Sequence, residues 1–171
     1  YVLSLEAAQQ SFGEDNVIAY QVGLLRRFKP LVAVGHDREG EYGHGAHRLN
    51  ALALEQAVVY AADASYDPES AAQYGVWDTP KLYLHFAGEN PIVLDVETPL
   101  SSFGGLTAFE VASAAMLRHE SQLQYAHRPT LESEEFPRYD CRRFGLVRSL
   151  VGADTGNDIM EHLSRNLPLR L

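Results

Sequence analysis

Between residues 14 and 28, in EDNVIAYQVGLLRRF, apolar residues recur at Val17, Ile18, Val22, Leu25 and Phe28. That spacing predicts a helix with one buried face, closed by Pro30. LVAVGH, 31–36, is then a short unbroken apolar run, the pattern of a buried parallel strand. A loop rich in glycine and charge fills 37–43. The helical period returns from His44 to about Ala62 through Leu49, Leu52, Ala53, Gln56, Val59 and Tyr60, with Gly43 and Gly45 at its start. Residues 63–75 predict a loop or a short helix. TPKLYLHFA and PIVLDVETP predict strands at about 81–86 and 91–96, and Gly88-Glu89-Asn90 between them predicts a hairpin turn. TAFEVASAAMLRHESQLQ predicts a helix over 107–124, with Thr107 as its cap and Glu110 three residues on. The tail after it is mixed in character, and 152–156 predicts a loop. No internal repeat or linker stands out.

Only one strand–loop–helix unit is plain in the first 65 residues, fewer than a doubly wound sheet needs. The opening YVLSLEAAQQSF lacks a Met and resembles the interior of a longer chain. The expectation is either a small sheet or further strands upstream of Tyr1.

Composition narrows the choice of partners. The 171 residues suit one domain, and 46% hydrophobic with 10% aromatic residues supports a real core. A formal charge of −9 argues against nucleic acid or an anionic membrane surface as partner. No apolar stretch approaches the ~18 residues of a membrane span. Cys141 is the only cysteine, so no internal disulfide forms, which is consistent with the cytoplasm.

The candidate chemistry lies in EGEYGHGAH, 39–47, at the C-terminal end of the first strand, where open α/β sheets bind ligands. On a helix, residues i and i+3 share a face, which turns His44 and His47 the same way. Imidazole is the commonest metal-ligand side chain. On spacing alone, a metal or catalytic pair stands against two surface histidines at a helix start. The flanking glycines favour the first, because they let backbone approach a ligand.

GEYGHGAHR resembles the second signature of the PIG-L/LmbE-like deacetylases, zinc-dependent enzymes that remove acetyl from N-acetylglucosamine-type amides; its common form is Gly-Glu-Tyr-Gly-His-Pro-Asp-His. LLRRFKPLVAVGHD, WDTPKLYLH, AAMLRHESQ and FGLVRSLVGADTGND resemble further family segments in the same order, so the likeness covers nearly the whole chain. The resemblance implies an α/β fold, part of a Rossmann-like three-layer α/β/α arrangement with a mostly parallel sheet, and residues 1–171 as a single domain that is the C-terminal part of such a deacetylase. It implies His47 as a ligand of Zn2+ or another divalent metal, His44 as oxyanion stabiliser and acid, and Tyr42 as a residue that polarises the substrate carbonyl. Zinc with an open coordination position lowers the pKa of water to about 7, and the tetrahedral oxyanion of amide attack needs a donor.

Two departures matter. Gly45 and Ala46 replace the usual Pro and Asp, and Asp37 or Glu41 could orient a histidine in that Asp's stead. The family's first signature, His-Pro-Asp-Asp-Glu, with two further ligands and the general base, does not occur in these residues. The expectations are that it lies upstream in a longer chain, that a separate N-terminal half supplies it, or that it is lost; a homo-oligomer is expected on a different ground, since an incomplete sheet exposes an edge. The substrate expected is an N-acetylated amino sugar or its conjugate. A catalytically inactive carbohydrate-binding or interaction module is the alternative; a hydrolase built on the His pair with Asp37, Glu39 and Glu41 is a third reading.

Other residues have two readings each. His119 and Gln122 approach the site or form a polar helix face. Asp37 and Arg38 touch a sugar hydroxyl or cover a solvated loop. His36 ends its strand and is expected in a structural hydrogen bond. His85 is expected in the core or at an edge, and Trp77 and Tyr83 in core packing before sugar stacking. Arg142, Arg143 and Arg148 bind an anionic part of a substrate or, by default, form a solvated face or ion pairs with the many carboxylates.

Overall fold

The computed structural model describes residues 2–88, 92–118, 140 and 142–163. The chain opens with α1, Leu5–Phe12, whose Ser4 hydroxyl accepts from the Ala7 N–H at 3.1 Å. Next comes α2, Glu14–Phe28, the helix the periodicity predicts. Glu14 and Asp15 open it and Arg26 and Arg27 close it, so charge complements the backbone dipole at both ends. Strand β1, Val32–Gly35, leads through a 3-10 turn at Glu41–Gly43 into α3, Gly45–Tyr60. The helix α4, Pro68–Tyr74, precedes β2, Lys81–His85, and then β3, Ile92–Val93. After it come α5, Ala108–Met116, and β4, Arg143–Ser149.

The architecture is α/β and compatible with part of a Rossmann-like fold. The strand order is β1-β2-β4-β3. β1 pairs parallel with β2, and β2 antiparallel with β4. β2 is central and buried at all five positions, as expected of a strand paired on both sides. Its alternate residues part to two faces. Leu82 and Leu84 join Ala33 against Ile18, Val22 and Leu25 of α2 and Ala53, Ala57 and Val58 of α3. The run of small alanines on α3 lets the two helices lie close over the sheet. On the opposite face, Lys81 and Tyr83 are fully buried and bind Asp154, in a chain of turns after β4.

The chain divides into two compact units. One comprises Tyr1–Ile92 with Phe144–Leu171, and the other Val93–Arg143. The second unit holds α5, capped at Thr107: the Glu110 N–H donates to Thr107 Oγ1 at 3.1 Å, and Glu110 Oε2 accepts from the Thr107 N–H at 2.8 Å. This is the reciprocal cap the sequence predicts. The predicted continuation of α5 to 124 lies outside the described residues.

Two expectations are corrected. The strand of 91–96 extends only over Ile92–Val93, because Asp95 starts a turn: its Oδ1 accepts from the N–H groups of Glu97 at 2.9 Å and Thr98 at 3.0 Å. Nor do β2 and β3 form a hairpin, since β4 lies between them in the sheet.

α1 seats the start of α3. The Gly45 N–H donates to the Val2 carbonyl at 3.2 Å, and a Cβ at position 45 would fall 2.0 Å from the carbonyl oxygen of Ser4. Backbone cannot rotate away as a side chain can. Gly45→Ala is therefore expected to push α1 off α3 and to cost about 1–3 kcal/mol. A lower urea midpoint together with early proteolytic cleavage before residue 13 checks this.

Candidate functional site

The parallel register brings together two histidines that are 49 residues apart in sequence. Gly35 pairs with Leu84, so the next residues, His36 and His85, meet at the C-terminal ends of the two strands, with His85 still paired to Phe144 of β4. The loop after His36 then doubles back. Asp37 Oδ1 accepts from the Glu39 N–H at 3.1 Å, and the Gly40 N–H donates to the Asp37 carbonyl at 2.9 Å. Gly40 has φ +72°, and a Cβ there would meet the His44 carbonyl oxygen at 2.5 Å and Arg48 Cγ at 2.6 Å, so only glycine fits this turn. The tightness delivers Glu41 back beneath the strand ends.

Glu41 is the centre of the arrangement. Its Oε2 lies 2.7 Å from His36 Nδ1 and 3.0 Å from His47 Nδ1. Its Oε1 lies 3.1 Å from His85 Nδ1 and accepts from the Asp37 N–H at 3.0 Å. The carboxylate is largely buried, with 15% of the side chain exposed, and His85 is more so at 10%. Burial works against the charge of Glu41, but the N–H groups of Asp37 and of Glu41 itself, with His85 and His36, outweigh it and hold the pKa below the usual value. Burial, followed by repulsion from His36, lowers that of His47 despite the attraction of Glu41. A neutral imidazole beside an ionised carboxylate is the state that can bind a metal.

His36 and His47 stack with ring centroids 4.4 Å apart and planes 5° from parallel. His44 meets His47 edge-on at 5.2 Å. The pairing of His44 with His47 comes about differently from the predicted shared helix face. His44 is the N-cap residue, extended at φ −69° and ψ 123°, and its carbonyl accepts from the N–H groups of His47 and Arg48, both at 3.1 Å.

The donor atoms of His36, Glu41 and His47 all lie within 4.8 Å of one another. Glu41 Oε2 and His47 Nδ1 are buried and lack a hydrogen bond of good geometry. One oxygen between two parallel rings cannot lie in the plane of both, which explains close contacts without linear N–H···O bonds. Imidazole nitrogens held beside an ionised carboxylate suit zinc and related divalent ions, whether the carboxylate binds the ion or orients the rings. The residues present fit such an ion.

Arg38 is engaged with Glu55, Nε to Oε2 at 3.0 Å and Nη2 to Oε1 at 2.5 Å. Asp37 is within the turn. Tyr42 lies in the 3-10 turn between Glu41 and Gly43. His119 and Gln122 lie outside the described residues, as does Cys141. Trp77 donates its indole N–H to the Pro30 carbonyl at 2.8 Å. Arg142 pairs with Asp140 at 2.8 Å and Arg148 with Asp78 at 2.6 Å, the ion-pair roles expected of them.

Sequence reasoning leaves His36 and His85 out of the site. The signal was present: the runs LVAVGH and KLYLH both end in histidine, and two parallel strands in register finish at the same edge. Among the described residues, no helix is long and apolar enough to cross a membrane.

Compared with known proteins, the chain is 30% identical over 158 residues to the 1D-myo-inositol 2-acetamido-2-deoxy-alpha-D-glucopyranoside deacetylase 2 of Saccharopolyspora erythraea, a match covering 83% of this chain and 56% of that protein. It is 35% identical over 69 residues to the corresponding deacetylase of Geodermatophilus obscurus, and 36% identical over 69 residues to deacetylase 1 of Catenulispora acidiphila. Those two matches cover 40% of this chain and 22% and 20% of the relatives. The chain thus spans little more than half the length of the first relative. No family model matches it, and no solved structure does.

Proposed function

We propose that this chain carries part of the active site of a metal-dependent N-deacetylase acting on an N-acetylglucosamine-type amide, such as a glucosaminide conjugate. The reading is carried by the convergence of His36, Glu41 and His47 at the end of two parallel strands. The similarity to the Saccharopolyspora erythraea deacetylase over 83% of the chain supports it.

His47 would hold the ion, Zn2+ or another divalent metal, and His36 stacked on it offers a second nitrogen. A bound divalent ion supplies Lewis acidity and a nucleophile from water at neutral pH. The chain's own residues have the remaining tasks. In the net reaction a water hydroxyl joins the acyl carbon, the C–N bond breaks, and acetate and a free amine leave, the amine taking a proton. His44, edge-on to His47 at the mouth of the loop, stabilises the oxygen that gains charge and can pass a proton to the leaving amine. Tyr42, two residues before His44, is the second polarising group of the proposed site. Asp37 and Arg38 border the loop, with His119 and Gln122 as further substrate contacts in the proposal. An N-terminal half, in the same polypeptide or a separate one, would add ligands to the ion.

With zinc present, the protein carrying this chain is expected to release free amine from N-acetylglucosaminyl-inositol. His47→Ala is expected to lower zinc affinity at least tenfold. His44→Ala should retain zinc and lose roughly 10²–10³ in kcat. Amine release and metal content, measured together, check both. Sugar binding without hydrolysis at saturating zinc would favour a non-catalytic binding module instead.

A further inference from the structure

We infer that Glu41 is a positioning residue: it holds the Nδ1 side of the His47 imidazole, so that the ring presents Nε2 to its ligand. This rests on the metal-hydrolase reading above and names the group that orients its central histidine.

The distances distinguish a partner of the imidazoles from a fellow ligand. A tetrahedral zinc with N and O donors at their usual bond lengths keeps those donors about 3.3–3.4 Å apart. Glu41 Oε2 lies 2.7 Å from His36 Nδ1 and 3.0 Å from His47 Nδ1. These separations are too short for two donors on one ion and lie in the hydrogen-bond range, although neither Oε2 nor His47 Nδ1 has a hydrogen bond of good geometry. An ionised carboxylate only accepts, so an Nδ1 facing it carries the hydrogen. The lone pair of that ring is then on Nε2, and only Nε2 can bind a metal.

Three features make Glu41 suited to this. Its Oε1 is fixed by the Asp37 N–H and by His85, so the carboxylate cannot swing away. The tight turn at Gly40 limits where its backbone can go. And Ala46, next to His47 in sequence, has nothing to offer a ring nitrogen. The parallel stack of His36 on His47 adds a consequence: Oε2 can lie in the plane of only one ring at a time. His36 therefore competes with His47 for the oxygen.

The test uses the tautomer itself, read by long-range 15N NMR on metal-free protein at pH 8. His47 is expected to carry its proton on Nδ1. Glu41→Ala should shift it toward Nε2–H and weaken Co2+ binding by about 10–100-fold. Glu41→Gln, which keeps a carbonyl oxygen in place, should restore part of both, and remains informative if the alanine variant fails to fold. His47 with Nε2–H in the unsubstituted protein would overturn the inference, as would Co2+ affinity unchanged in both variants. If the tautomer shifts as expected but no variant binds Co2+, the inference stands and the metal reading above fails.

Discussion

Replacing Asp154 by Ala is expected to cost about 3–5 kcal/mol of folding stability. Lys81 is buried to the last atom at the start of the central strand. Its ammonium donates to Asp154 Oδ1 at 2.5 Å and to the carbonyls of Ile159 at 3.0 Å and Glu161 at 3.1 Å. Asp154 is its only carboxylate partner among the described residues, and 11% of that side chain is exposed. The other oxygen of Asp154 accepts from the hydroxyl of Tyr83. Burial, and then this bond, raises the pKa of the phenol, which stays protonated and donating. Alanine leaves a buried cation with only backbone carbonyls and a buried hydroxyl with no acceptor. The double variant Lys81→Met/Asp154→Leu removes the charges together and is expected to lose less than Asp154→Ala alone. Urea unfolding of both variants checks the order. A larger loss in the double variant would mean that the ion pair matters chiefly for its shape.

Arg26→Ala is expected to cost about 3–4 kcal/mol, a large part of the stability of an ordinary domain. This guanidinium is fully buried at the end of α2. It donates to the carbonyls of Tyr60, Ala61, Asp63, Tyr66 and Asp67 at 2.7–3.2 Å, and to Ser70 Oγ at 2.6 Å. The first three acceptors lie at the exit of α3, where the backbone carries partial negative charge, and each of these carbonyls also accepts a backbone N–H, from Asp63, Trp77 and Tyr66 respectively. One side chain thus caps α3 and fixes the turn that leads into α4. Arg26→Lys keeps the charge but has three donors against five, and should recover less than half of the loss. Urea midpoints at constant slope measure this.

Local chemistry explains what was legible in the sequence. The helix of 14–28 has its period, its charges and its proline within one window, and the Thr107–Glu110 cap is complete within four residues. β1, α3 and the central strand were legible for the same reason. β4 was not: Gly145 and the charges at Arg143 and Arg148 break its alternation, and its pairing with β2, from Lys81 with Ser149 to His85 with Phe144, supplies what its own pattern lacks. α1 is short and draws its stability from the seat on Gly45. At the site, the likeness of 39–47 to a known motif was visible, but the roles of His36 and His85 depended on which strand lies beside which. Arg26 has the pattern of an ordinary charge in the last turn of a helix, because its backbone acceptors are 34–41 residues away.

The in-register pairing of β1 with β2 has one more consequence. Sliding one strand past the other by a single residue would turn Leu82 and Leu84 away from the helices and, by the same movement, carry His85 to the wrong side of the sheet. The oily packing and the imidazole cluster are therefore two readouts of one alignment, and a chain that zips up out of step forfeits both. Chemical competence here doubles as a gauge of correct assembly.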